Sequence, residues 1–145
     1  MKAHSLNSPC PCGRLAQTQA KGAGQALTYA QCCGPWLEAD PQTGPFAPDA
    51  QTLMRSRYSA FVLERAPYLL ATWQASHRPA SLEFDPGVKW LGLEVRRLGP
   101  TGDAQAEVEF VARQKQAGAP AVRLHERSRF VREDGRWLYV DGDAL

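Results

Sequence analysis

The sequence predicts an α+β domain in which two helices pack on an antiparallel sheet, preceded by an arm that carries every cysteine of the chain. Three observations lead there. Apolar residues recur with helical spacing from residue 50 to about residue 75. From Ser81 onward they alternate with a period of two, between turn signals. The four cysteines form two tight pairs, Cys10 with Cys12 and Cys32 with Cys33, inside the first quarter of the 145 residues.

The arm comes first. Residues 1–49 are rich in Pro, Gly, Ala and Gln and show no sustained helical or strand period. Such a segment buries too little apolar surface to order itself, so a metal ion is what would organise it. Residues i and i+2 of an extended segment project to one side, so Cys10 and Cys12 can face a common ion, with Pro11 holding the conformation. Cys32 and Cys33 are adjacent and would point apart unless the chain turns sharply, and Gly34-Pro35 supplies turn chemistry there. Four thiolates suit a closed tetrahedral zinc site, and they suit iron as well. The alternatives are free thiols or a disulfide framework, for which four cysteines allow three connectivities. Disulfides need an oxidising compartment, and the stretch from Met1 to Pro9 has no apolar run that could act as a signal peptide. The spacer from Gly13 to Gln31 is 19 residues. Loop closure costs only about 0.6 kcal/mol per doubling of length, which a structural zinc ion outweighs many times.

Composition bounds the rest. With 43% hydrophobic and 22% charged residues the chain is long enough and apolar enough to build a core, which excludes a disordered class. A net charge of +2 does not demand a polyanionic partner. No apolar run approaches the roughly 18 residues of a membrane span, so a cytoplasmic location is expected. The stretch from Glu38 to Asp49 holds three prolines and a glycine and reads as a linker. The division follows: a cysteine segment with its linker at 1–49, and the α+β domain at 50–145.

Asp49 is placed to cap a helix from Ala50 to about Arg65. At 100° per residue Leu53, Met54, Tyr58, Phe61 and Val62 form one apolar stripe, Arg55 lies at its edge, and Ser56 and Ser59 fall on the outer side. Arg57 falls inside the stripe. It is read either as a snorkelling or ion-paired arginine or as a cavity residue that binds an anionic group. A second helix is predicted from Ala66 to about Ala75, with Pro67 in its first turn and Tyr68, Leu69, Leu70 and Trp73 burying one side. Ser76-His77-Arg78-Pro79 ends it, with His77 solvated.

Strand periodicity follows. Leu91, Leu93 and Val95 alternate with Gly92, Glu94 and Arg96; a turn is expected at Gly99–Asp103; and Ala106, Val108, Phe110 and Ala112 make a second apolar face. After Gly118-Ala119-Pro120, one face carries Val122, Leu124, Glu126, Ser128 and Phe130, and the other Arg123, His125, Arg127 and Arg129. Asp134-Gly135 is a two-residue hairpin signal leading to Trp137, Leu138, Tyr139 and Val140. Glu126 is, like Arg57, a charge where an apolar residue is expected. A lone buried charge costs several kcal/mol, so the two are expected to meet.

These residues carry a resemblance. Cys10-Pro11-Cys12-Gly13, Tyr29 and Cys32-Cys33-Gly34 resemble the SEC-C motif, the zinc-binding tail of the translocase motor SecA. The chain departs from that motif at Arg14-Leu15, in a longer spacer and at Gln31, and it lacks the basic surface through which that tail contacts its partners. The run from Leu53 to Val62 with Tyr68-Leu69 and Thr72-Trp73 is similar to the YchJ-like family of uncharacterised bacterial proteins. So are Trp90–Leu93, Phe110–Arg113, Glu126–Phe130 and the segment from Gly135 to Gly142. The resemblance implies a nuclear transport factor 2-like cone, with helices packed into a curved antiparallel sheet around a cavity. In it Arg57, Tyr58, Trp73, Glu126 and Ser128 are the cavity candidates, and Cys10, Cys12, Cys32 and Cys33 the metal ligands.

Three functions are then weighed. The leading one is a zinc-binding, non-catalytic protein whose cone holds a small ligand or a protein partner, with no catalytic residue assigned. The second is nucleic-acid or ribosome binding through Arg123, Arg127, Arg129 and Arg132, which predicts steep salt dependence. The third is a cavity enzyme, isomerase- or hydrolase-like, with Glu126 as general base and Arg57 and Tyr58 polarising a substrate oxygen.

Overall fold

In the computed structural model, which describes residues 1–16 and 24–145, the N-terminal arm doubles back on itself. Antiparallel bridges pair Pro9 with Thr28 and Leu15 with Ala26, and the Cys10 amide donates to the Leu27 carbonyl at 2.9 Å. The middle of the spacer, residues 17–23, lies outside the described residues, and its two ends meet across these bridges. A 3-10 turn at Tyr29–Gln31 follows, then the short helix α1 (Gly34–Leu37), with Pro35 in its first turn.

Helix α2 (Ala50–Val62) starts where the sequence places it, with the Asp49 carboxylate accepting from the Thr52 amide at 2.7 Å. It ends three residues before the expected Arg65, because Glu64 takes the left-handed φ of 57° and turns the chain into α3 (Ala66–Ala71). The second helix also stops short of Ala75. There the Tyr139 amide donates to the Thr72 carbonyl and the Gln74 amide to the Tyr139 carbonyl, both at 2.8 Å, so the last strand captures the backbone that would have continued the helix.

Four strands, β1 (Val88–Gly102), β2 (Gln105–Gln116), β3 (Val122–Glu133) and β4 (Arg136–Ala144), form an antiparallel meander in the order β1-β2-β3-β4. The turn expected at Gly99–Asp103 is narrower, because β1 runs through Pro100 to Gly102. An edge strand has a neighbour on one side only and can accommodate proline. Register shifts at Trp90/Gly92, Val95/Arg97 and Pro100/Gly102 interrupt β1, and bulges of this kind bend a strand. The first shift breaks the predicted alternation: Trp90, Leu93 and Val95 pack against the core, whereas Leu91 is exposed. Asp134 and Gly135 take φ of 51° and 80°, the paired positive values of a tight hairpin turn.

Pairing across the sheet puts Val108 opposite Ser128, Phe110 opposite Glu126 and Ala112 opposite Leu124, so the two apolar faces read from sequence form one surface. Helix α2 packs on it. Ser56 and Ser59, which periodicity puts outside, are fully buried, because the cysteine arm and α3 cover that side of the helix too. The Ser56 hydroxyl donates to the Leu53 carbonyl at 2.7 Å and shares a hydrogen bond with the Tyr68 hydroxyl at 2.6 Å. The core is continuous across residue 49: Cys10, Cys12, Tyr29, Leu37 and Ala47 cluster with Leu53, Met54, Tyr58, Leu69 and Phe130. The segment read as a linker packs against β4, where the Arg136 guanidinium lies 4.1 Å from the centre of the Phe46 ring and donates to the Pro41 carbonyl. Among the described residues no helix is long and apolar enough to cross a membrane.

Candidate metal centre and cone cavity

The two cysteine pairs converge. Their four sulfur atoms all lie within 4.8 Å of one another, with Cys12 and Cys32 3.5 Å apart and Cys32 and Cys33 3.9 Å apart. A disulfide would need about 2.05 Å, and all four cysteines are free. A tetrahedron with arms of about 2.3 Å has edges of about 3.8 Å, so four sulfur atoms this close could hold a metal ion between them.

Local chain geometry explains how adjacent cysteines come to face one point. Thr28 and Gln31 cap the 3-10 turn reciprocally: the Gln31 amide donates to the Thr28 hydroxyl and the Thr28 amide to the Gln31 side chain. Cys32 then leaves the turn with φ −128° and ψ −101°, and Cys33 opens α1. The reversal requires glycine next. A Cβ on Gly34 would sit 2.7 Å from the Tyr29 carbonyl oxygen.

The thiols cannot all ionise by themselves. Cys10 is held far below the usual thiol range by hydrogen bonds from Cys12, Cys32 and Cys33, whereas Cys32 and Cys33 are pushed up, chiefly by Cys10. A divalent cation at the centre would remove that conflict, since coordination favours every thiolate at once. The donor set fits a soft metal of the zinc or iron kind. Helix α2 supports the cluster. The Arg55 guanidinium donates to the Cys12 carbonyl at 3.3 Å and lies 4.0 Å from its sulfur, and the Ser59 hydroxyl is 3.7 Å from the Cys10 sulfur. The sequence reading left both residues outside the site. Their i, i+4 spacing, which puts them on one face of the helix, was the available signal.

Another face of α2 lines the cone. A cavity of about 460 Å³ opens between α2, the end of α3 and the sheet, and all five cavity candidates, Arg57, Tyr58, Trp73, Glu126 and Ser128, line it. Sequence reasoning missed Trp90, Phe110 and Tyr139, which line it too. Only strand pairing and the β1 bulge bring those rings together. Tyr58 packs edge-on to Trp90 and Trp73 edge-on to Tyr139. Burial raises the Tyr58 and Tyr139 hydroxyls to about 12, so both stay protonated.

The expected Arg57–Glu126 pair is not formed. The Arg57 guanidinium donates to the Leu69 carbonyl at 2.8 Å and to the Thr72 hydroxyl at 2.7 Å, and it lies 5.1 Å and 4.7 Å from the ring centres of Trp73 and Tyr139. Glu126 accepts from the Ser128 hydroxyl at 2.9 Å instead. The end of α3 offers Arg57 acceptors on its own side of the cavity, and the next inward residue of β3 offers Glu126 a donor.

The arginine-rich outer face of β3 is interleaved with carboxylates. Glu107 and Glu109 pair across from Arg129 and Arg127 in register, His125 contacts Glu109 at 2.9 Å, and Arg129 is bound by Asp141 and Asp143 of β4. Opposite charges directly across a ladder are the ordinary state of a solvated sheet face.

Comparison with known proteins agrees with this architecture. Residues 49–142 match the family model described as YchJ, middle NTF2-like domain. The chain is 66% identical to a UPF0225 protein of Polaromonas sp. strain JS666 over 135 residues, covering 93% of this chain and 92% of that one. It is 61% identical to a UPF0225 protein of Polaromonas naphthalenivorans, covering 97% of this chain and all of that one. Among solved structures, a SEC-C motif containing protein from Psychrobacter arcticus superposes with a TM-score of 0.75 at 28% identity, covering 94% of this chain and 82% of that chain. A SEC-C motif containing protein from Rhodopseudomonas palustris superposes with a TM-score of 0.70 at 33% identity, covering 84% and 95%. A four-cysteine cluster docked on a nuclear transport factor 2-like domain, in a chain this similar along nearly its whole length to UPF0225 proteins, belongs to the YchJ-like UPF0225 family.

Proposed function

We propose that the protein is a zinc-stapled, non-catalytic binding protein of the cytoplasm, in which the metal shapes the N-terminal arm and the cone holds a small ligand. One observation carries this reading. The four-sulfur cluster and the cavity share α2, yet none of the cysteines lines the cavity. A closed four-thiolate site leaves no coordination position for substrate, so the metal acts on structure rather than chemistry. The cavity falls in the range of small-molecule sites, roughly 300–1,000 Å³, and combines aromatic walls with a few polar groups. Native mass spectrometry of the chain purified from cells tests both halves at once. The reading expects one zinc ion per chain and a small molecule retained in a fraction of the population. Protein that folds fully without metal contradicts it.

A second reading, a cavity enzyme with Glu126 as general base, draws on one feature: the Glu126 carboxylate lines the cavity and, among the described residues, makes no salt bridge. Turnover of a ligand found in the cavity, lost in Glu126→Gln while binding persists, separates it from the first.

A further inference from the structure

Arg57 is a buried cation with no salt bridge among the described residues, and Glu126 of the same cavity acts on it only through space. The residue is 6% exposed, and both hydrogen bonds of its guanidinium, to the Leu69 carbonyl and the Thr72 hydroxyl, leave from Nη1. Among the described residues no acceptor serves Nε or Nη2. Burial lowers its pKa only to about 10, so the charge persists at neutral pH. A guanidinium edge left without a protein acceptor at the wall of a cavity is a place where an anion can bind. The free edge of a guanidinium matches a carboxylate with two parallel hydrogen bonds. Trp73 and Tyr139 stack near the group and fix its plane.

The rest of the wall restricts the partner. Met54, Phe61, Trp90, Phe110 and Phe130 make most of it apolar. Glu126, held by Ser128, faces the same space, and Arg123 and His125 of β3 line it as well. Resting on the reading that the cone holds a small ligand, we propose that this ligand is an amphipathic carboxylate. Its aromatic or branched body lies against the Phe and Trp walls, and its carboxylate accepts from Nε and Nη2 of Arg57.

The test uses naphthalene-1-acetate and its uncharged amide, naphthalene-1-acetamide, titrated calorimetrically into the full metal-loaded chain. The acetate binds roughly tenfold or more tighter than the amide, the scale of a charge-assisted hydrogen-bond pair. Arg57→Met removes that preference and leaves the two probes equal. Glu126→Gln, which keeps an acceptor for Ser128, raises the preference for the acetate over the amide by about threefold through lost repulsion. This variant keeps the proposal testable if Arg57→Met fails to fold. Equal binding of both probes to the unaltered chain overturns the carboxylate assignment and leaves the small-ligand reading standing. Binding of neither overturns that reading and this one with it.

Discussion

Arg55 reaches from α2 to the cysteine cluster, its Nη1 3.3 Å from the carbonyl oxygen of Cys12 and 4.0 Å from its sulfur. A divalent ion held by four thiolates carries a net charge of −2, and the Arg55 guanidinium is hydrogen-bonded to Cys12. Replacing it with methionine keeps bulk and removes charge. Zinc affinity then falls by about tenfold or more, the usual cost of losing a group that supports a ligand from behind. Competition with a chromophoric chelator measures it, and an unchanged constant contradicts the role.

Gly34→Ala puts a methyl group 2.7 Å from the Tyr29 carbonyl oxygen, where the neighbour is backbone and cannot step aside. The expected loss is roughly 1–3 kcal/mol, as for overpacking elsewhere. Thermal unfolding of the metal-loaded protein should show a lowered midpoint and easier metal loss by the same variant, since the glycine shapes the turn that presents Cys32 and Cys33.

Ser56→Ala leaves the buried Tyr68 hydroxyl without its 2.6 Å partner. An orphaned buried hydroxyl costs about 1–3 kcal/mol. Combining it with Tyr68→Phe, which removes both partners, should recover part of that loss in urea unfolding. Strict additivity of the two changes would show that the hydroxyls do not interact.

Acid should act partly through the sheet's outer face. Glu109 is held below the usual carboxylate range chiefly by its hydrogen bond with His125, and Asp143 chiefly by its bond with Arg129. Groups with depressed folded-state pKa stabilise above their unfolded values, near pH 4, and that contribution disappears as pH falls through the folded values. The Glu109→Gln, Asp143→Asn double variant should therefore lose less stability than the parent below about pH 4, and show a small deficit at pH 7, because exposed pairs are worth little.

How much of this was legible in the sequence depends on how local each signal is. Asp49, the Asp134-Gly135 turn and the strand faces around Val108 and Phe130 were readable, because capping, turn conformation and alternation are set by neighbours in the chain. The cysteine cluster was readable because few arrangements use two close pairs of thiols. The burial of Ser56 and Ser59 was not, since periodicity assumes one covered face and α2 has two. Leu91 was misplaced by a bulge whose mark, Gly92 inside the strand with φ 152°, plain alternation does not register. The Arg57–Glu126 pairing failed because charge balance alone says nothing about nearer acceptors such as the Leu69 carbonyl and Thr72.

The central claim is that Cys10, Cys12, Cys32 and Cys33 close around one metal ion and thereby hold the arm on the cone. X-ray absorption at the zinc edge of protein purified from cells tests it most directly. The account predicts one zinc per chain with four sulfur neighbours at about 2.3 Å and no oxygen or nitrogen in the first sphere. A protein that is folded and metal-free, or a zinc ion bound by fewer than four sulfurs, contradicts it.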